Sequence, residues 1–316
     1  MWHKLFRGVG ASENLIPQGI KSEFISNLSK QSAFFKIFER FFNSNCAAFT
    51  HAKDSAHARV SVNKRQVAFT LAEVLITLGV IGIVAAMTLP ALIQRQQEKA
   101  TVTALKKFYS VMSQAYQFAT EEYGPIENWG LKGSLDVDMK DDYATYQNSG
   151  EIYLDRFAPY LKIVRRCKRN ESNCFAPVEY KTLKGTLYLD MTTNTLGGAV
   201  MADGMVLSLE PFSENCTRSM GNSKALANTC GSIFVDINGD KNPNVLGRDM
   251  FSFYITKYGI VPRGTSLETD KFSFDKSCKN AKTQDGYACA AWVIYNENLD
   301  YLHCSDLGWN TKSKCK

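Results

Sequence analysis

Hydrophobic and polar positions divide this chain into stretches of different rhythm. From Phe69 to Ile93 nearly every position is apolar (FTLAEVLITLGVIGIVAAMTLPALI). As a helix, such a run of about 25 residues spans ~37 Å, enough to cross a bilayer. A single charge, Glu73, interrupts it. A carboxylate in a membrane-length segment is costly unless something pairs with it, so the run is expected to be more than an anchor. Farther on, Val102, Leu105, Phe108, Met112, Ala115 and Ala119 recur every three or four residues, with Lys106, Lys107, Gln114 and Gln117 between them. That spacing predicts an amphipathic helix running to about Tyr123, where Gly124-Pro125 stops it. Phe69 to Tyr123 then form one helix of roughly 80 Å, half in lipid and half against a globular domain. Pro90 lacks a backbone donor, and Gly79 and Gly82 weaken the apolar half, so a kink or local melting is expected there.

Beyond residue 124 the rhythm changes. Residues 130–150 are polar, with Asp136, Asp138, Asp141 and Asp142 close together, and read as loop. A short helix is expected over Ile152–Val164. Strand patterns follow at Thr186–Met191, Ala199–Met201, Met205–Leu209, Ile233–Ile237, Phe251–Thr256 and Ala290–Tyr295. Asp203-Gly204 between alternating apolar residues suggests a type I′ hairpin. The fold class is therefore α+β: a long N-terminal helix packed on a C-terminal antiparallel sheet domain, residues 124–316. There is no internal repeat or low-complexity tract.

The start of the apolar run carries a more specific signal. The basic pair Lys64-Arg65 precedes small Ala68, and Phe69, Thr70, Leu71 and Glu73 follow in that order, with Pro90 deeper in the run. These residues resemble the cleavage and methylation signal of the type IV pilin superfamily, which includes type II secretion and competence pseudopilins. The departure within the motif is Ala68, where the family usually has Gly. The resemblance implies that a prepilin peptidase cuts between Ala68 and Phe69 and methylates the new amine of Phe69. It also implies a pilin-like fold, and assembly of the apolar helices in a filament core, where Glu73 meets the methylated amine of a neighbouring subunit. An ordinary signal peptide places its apolar stretch before the cleavage site, the reverse of the order here. A plain single-span anchor accounts for the length of the run but not for Glu73 or the Phe-Thr-Leu start.

Charge and cysteine usage change at the same junction. Residues 1–68 hold ten Lys/Arg against four Asp/Glu; of the totals of 37 and 31, this leaves 27 basic and 27 acidic residues from Phe69 onward. The basic excess fits a leader kept on the cytoplasmic side. Two readings of residues 1–68 stand, a leader that is removed or an over-extended gene start. Cys46 lies in this segment, and eight cysteines follow: Cys167, Cys174, Cys216, Cys230, Cys278, Cys289, Cys304 and Cys315. An even number in an exported domain suggests disulfides, with nearest-neighbour pairing the simplest of 105 connectivities.

Two further patterns bear on function. Asp236, Asn238 and Asp240, with Asn242, place oxygen side chains at alternate positions as in the first half of a calcium loop, but Gly247 stands where the closing acid belongs. Structural calcium and a plain Asn/Asp/Gly/Pro turn are the alternatives. Lys162, Arg165, Arg166, Lys168 and Arg169 form a basic cluster without interleaved aromatics, so nucleic acid is not the expected partner. No hydrolase elbow, zinc motif, P-loop or Rossmann pattern occurs, and His303 beside Cys304 is not expected to be a nucleophile pair, so the chain is not expected to be an enzyme. The expected role is a structural pilin or pseudopilin subunit in the cytoplasmic membrane, with its domain outside, and then in a pilus or pseudopilus. Its expected partners are prepilin peptidase, other subunits, the inner-membrane assembly platform with its ATPase, and membrane lipid. A membrane-tethered adhesin or DNA-uptake receptor is the alternative.

Overall fold

A computed structural model describes residues 70–138, 140–167, 174–176, 178–189, 191, 196–269, 273–278 and 286–315. The processing residues Lys64, Arg65, Ala68 and Phe69, together with Cys46, Lys168 and Arg169, lie outside them. Helix α1 runs from Leu71 to Tyr123, 53 residues without interruption. It passes through Gly79, Gly82 and Pro90 as helix, so the expected local melting is absent. Open space around Gly79 and Gly82 means that these glycines answer to no close packing within the chain.

Six strands make one antiparallel sheet in the order β1 (Ile163–Cys167), β4 (Gly197–Met201), β5 (Val206–Pro211), β6 (Thr229–Asp236), β7 (Met250–Thr256) and β8 (Gly259–Pro262). The short strands β2 (Tyr180–Lys181) and β3 (Leu187–Leu189) pair separately. Period-two alternation decides which residues face the helices. Register aligns Ala199, Leu207, Val235 and Phe251 in one row across four strands, and Leu209, Ile233 and Phe253 in another. These odd-numbered positions pack with Leu105, Phe108, Met112, Ala115 and Ala119 of α1 in the main core. Even-numbered Val206, Phe234 and Met250 point to the opposite face, into a second cluster with Phe175, Tyr180 and Leu246. Both faces of the central strands are therefore covered, and β6 and β7 are buried along their whole length.

Three elements differ from the sequence expectation. Helix α2 spans Tyr143–Phe157, so it begins inside the expected loop and ends before Val164, which lies in β1. Its small residues explain the polar look: a Cβ on Gly197 of β4 would stand 1.9 Å from the Gly150 carbonyl oxygen, so the backbones of α2 and β4 touch. The 201–205 turn is a hairpin, but Gly204 has a positive φ of 87° while Asp203 does not, and the Gly204 N–H bonds the Met201 carbonyl. That is a type I turn followed by a left-handed glycine rather than type I′. Finally, Ala290–Asn296, expected as a strand, is helix α4, following the short α3 (Phe274–Ser277). Trp292 stacks on Phe274 at 4.3 Å, and all five residues from Ala290 to Ile294 are buried. Burial on every side removed the period that would have distinguished helix from strand.

Four disulfides join each cysteine to its neighbour in sequence: Cys167–Cys174, Cys216–Cys230, Cys278–Cys289 and Cys304–Cys315. This nearest-neighbour connectivity makes each bridge close a short loop, of 7 to 14 positions, instead of tying distant parts of the chain together.

Candidate functional site

Helix α1 has two chemically distinct halves. From Leu105 to Ala119 one stripe is buried against the sheet, whereas Leu71 to Ile93 make no core contact and 13 large apolar side chains stand exposed. At about 1.5–3 kcal/mol per large side chain buried, covering them is worth roughly 20 kcal/mol or more. That magnitude outweighs any advantage of leaving the segment in water. The 23 residues from Leu71 to Ile93 are ~35 Å long, close to the hydrocarbon thickness of a bilayer. The helix is thus long and apolar enough to cross a membrane.

Glu73 sits in the first turn of this helix, exposed to its surroundings. The positive end of the helix macrodipole favours a carboxylate there. Pro90 lies about four turns before the buried stripe, and just ahead of it Thr88 bonds back to the Val84 carbonyl at 2.9 Å.

The acidic loop between β6 and β7 holds two buried carboxylates. Asp236 accepts the Tyr180 hydroxyl at 2.5 Å and the N–H groups of Asn238 and Gly239 at 3.1 and 3.0 Å. Asp249 accepts the N–H groups of Asn244 and Val245 at 2.7 and 2.6 Å and the Asn238 amide at 3.3 Å. Burial pushes Asp236 up to about 7, and burial also raises Asp249. Desolvation and the neighbouring Asp236 charge raise the Tyr180 phenol as well, so this hydroxyl stays a donor. Asp240, by contrast, is exposed. Of the sequence-predicted oxygen ligands, the structure joins Asp236 and Asn238 through the loop backbone and turns Asp240 outward. Among the described residues, no group of three or more His, Cys, Asp or Glu converges as a metal site. The two acids, ringed by N–H and O–H donors, fasten the loop to β2 and to its own turns. Nothing in the sequence signals Tyr180, which lies 56 residues before its partner.

A second buried ionic group escaped the sequence reading. Arg263 is almost fully buried, with its guanidinium 4.3 Å from the Tyr254 ring and 4.2 Å from that of Tyr287. Nearby Glu268 accepts the N–H groups of Gly264 and Thr265 at 2.6 and 2.9 Å, and burial pushes it up to about 7. The stacked cation and the capped acid brace the turn after β8.

The remaining candidates have structural partners. Arg166 of β1 is paired with Asp155, which removes one member of the basic cluster from free surface. Cys304 is bonded to Cys315, and His303 instead meets Glu98 of α1 at 2.8 Å.

A disulfide-bonded α+β domain on a helix that extends beyond it as an exposed apolar rod defines the class. Residues 91–298 match the family of unknown function DUF6613, and the chain belongs to that family. The matched stretch begins one residue after Pro90 and takes in the amphipathic half of α1 and the whole six-stranded sheet. Neither the curated proteins nor the solved structures contain a match to this chain.

Proposed function

We infer that the chain is a structural subunit, a pilin or pseudopilin, of a type IV pilus or type II secretion-like filament. The observation that carries this reading is the exposed apolar rod of α1 with one carboxylate, Glu73, at its start. Such a rod has two environments that cover it, a bilayer before assembly and other copies of itself afterwards. In both, an unpaired carboxylate is strongly disfavoured, and a cationic partner at one register makes it a selector of the correct neighbour. The amine of Phe69, freed by prepilin peptidase at Ala68–Phe69 and methylated, is that partner on the adjacent subunit. The assembly platform and its ATPase would draw subunits from the cytoplasmic membrane into the filament. The domain beyond Tyr123 stays outside, where an oxidising compartment keeps its disulfides.

Mass spectrometry of the native N-terminus tests the processing step. A chain beginning at N-methyl-Phe69 is the expected result; a chain retaining Ala68 overturns it. Glu73→Leu tests the assembly step. This variant is expected to enter the membrane normally and to be lost from filaments, and normal incorporation would refute the role of Glu73.

A further inference from the structure

The apolar segment ends at Ile93, and the domain begins to crowd the helix within the next turn. Gln94, the first polar residue after that segment, lines two open clefts on the domain, of about 430 and 360 Å³, which share Arg248 as a second wall. The first also contains Lys181 and His303, and the second Glu98 and Lys241. Three cations therefore surround the point where the helix leaves the domain.

Among the described residues, Lys181, Lys241 and Arg248 form no ion pair, although other surface lysines such as Lys107 and Lys312 do. The acids that line the clefts are already engaged. Glu98 meets His303 at 2.8 Å, and Asp249 is held by the N–H groups of Asn244 and Val245 and by the Asn238 amide. Asp240 lines neither cleft. Lys181, Lys241 and Arg248 thus carry charge that no carboxylate among the described residues pairs with.

The height of the clefts along the helix identifies the anion that suits them. At 1.5 Å per residue, Glu98 lies ~8 Å beyond Ile93. The polar layer of one leaflet is roughly 5–8 Å thick. If the apolar segment fills the hydrocarbon, the Gln94–Glu98 end of the clefts lies within the layer of lipid phosphates, and the Ala104 end of the second extends past it. We propose that the clefts formed by Lys181, Lys241 and Arg248 around Gln94 bind the headgroup phosphate of an anionic phospholipid in the bilayer that α1 crosses. This rests on the membrane-spanning part of the function proposed above, and adds a lipid-selective contact that sets the height and tilt of the domain on the membrane.

The test uses the full chain in nanodiscs of phosphatidylcholine alone or mixed with phosphatidylglycerol, released into native mass spectrometry. The wild-type chain is expected to retain phosphatidylglycerol in preference to phosphatidylcholine. Arg248→Gln should lower that preference roughly fivefold, as expected for one basic side chain at a charged membrane surface. The triple variant Lys181→Gln, Lys241→Gln, Arg248→Gln should abolish it. All three side chains are exposed, and an unchanged unfolding midpoint checks that the triple variant keeps its fold. Equal retention of the two lipids by the wild type, or an undiminished preference in the triple variant, would overturn the proposal. So would uptake of inorganic phosphate by the same residues with no lipid preference, which assigns the clefts to a free anion. Flotation with vesicles separates the two levels: a chain that floats with both lipids yet discriminates neither loses this inference alone, whereas one that floats with neither loses the membrane reading as well.

Discussion

Removing the Cys216–Cys230 bridge by the double substitution Cys216→Ala, Cys230→Ala should cost the domain about 3 kcal/mol, the closure term for a loop of this length. The bridge spans 14 positions, both cysteines lie in the main core, and the loop they close carries Met220 and Leu226 over the second face of the sheet. With a urea slope near 2 kcal/mol/M for a domain of this size, the midpoint should fall by roughly 1.5 M. The assay is urea unfolding of the full chain in detergent, followed by tryptophan fluorescence, since Trp129 and Trp292 are buried in that core. The Cys304–Cys315 bridge provides an internal comparison. It spans 11 positions, so closure alone predicts a loss within about 0.3 kcal/mol of the first, although these cysteines are only partly buried. Similar losses for the two pairs would assign the effect to chain closure, and a larger loss for Cys216–Cys230 would add a packing term. Midpoints that coincide with the wild type for both pairs would refute the reasoning.

Other expectations follow from the sheet and the buried acids. Gly197→Val should unfold the domain or cost several kcal/mol, because its Cβ would meet the Gly150 carbonyl oxygen at 1.9 Å; a thermal midpoint equal to the wild type would contradict the backbone contact between α2 and β4. Asp236 and Glu268 are each raised to about 7 by burial, above the value of ~4 for an unfolded carboxyl. The folded state then holds protons that the unfolded chain has released, so their stabilisation is complete below about pH 4 and is lost as pH rises through about 7. Urea midpoints should therefore fall between pH ~5 and pH ~8, and Asp236→Asn or Glu268→Gln should flatten the fall; a rise over that range would show that the donors around these acids outweigh burial.

The sequence disclosed elements whose residues face one environment and hid those defined by a distant partner. Leu105, Phe108, Met112 and Ala119 keep helical spacing because one side of α1 meets the sheet and the other meets water. Likewise the alternation through Val206–Leu209 and Phe251–Thr256 survives because the two faces of the sheet pack against different clusters. Ala290–Ile294 has no such contrast, because it packs on α1, β7 and β8 as well as through Trp292 on Phe274. The polar first half of α2 misled for a related reason: Gly150 is small to admit β4, a requirement set by Gly197 some 47 residues on, and Ser149 is polar to accept the Lys132 N–H. In the acidic loop the alternate oxygen pattern was legible, but the direction of each side chain was not. Tyr180 draws Asp236 inward from another strand, while Asp240 faces solvent.

The unbroken course of α1 also has a mechanical consequence. Leu71 to Tyr123 is a single rod, gripped most tightly along the stripe from Leu105 to Ala119, touched by His303 at Glu98, and free of the core from Leu71 to Ile93. A pull along the rod axis loads that stripe in shear, so Leu105, Phe108, Met112, Ala115 and Ala119 resist together. A sideways pull on the free end instead acts through a long lever and opens the grip one turn at a time, beginning at the Glu98–His303 contact. The domain should accordingly withstand tension along its helix far better than bending across it.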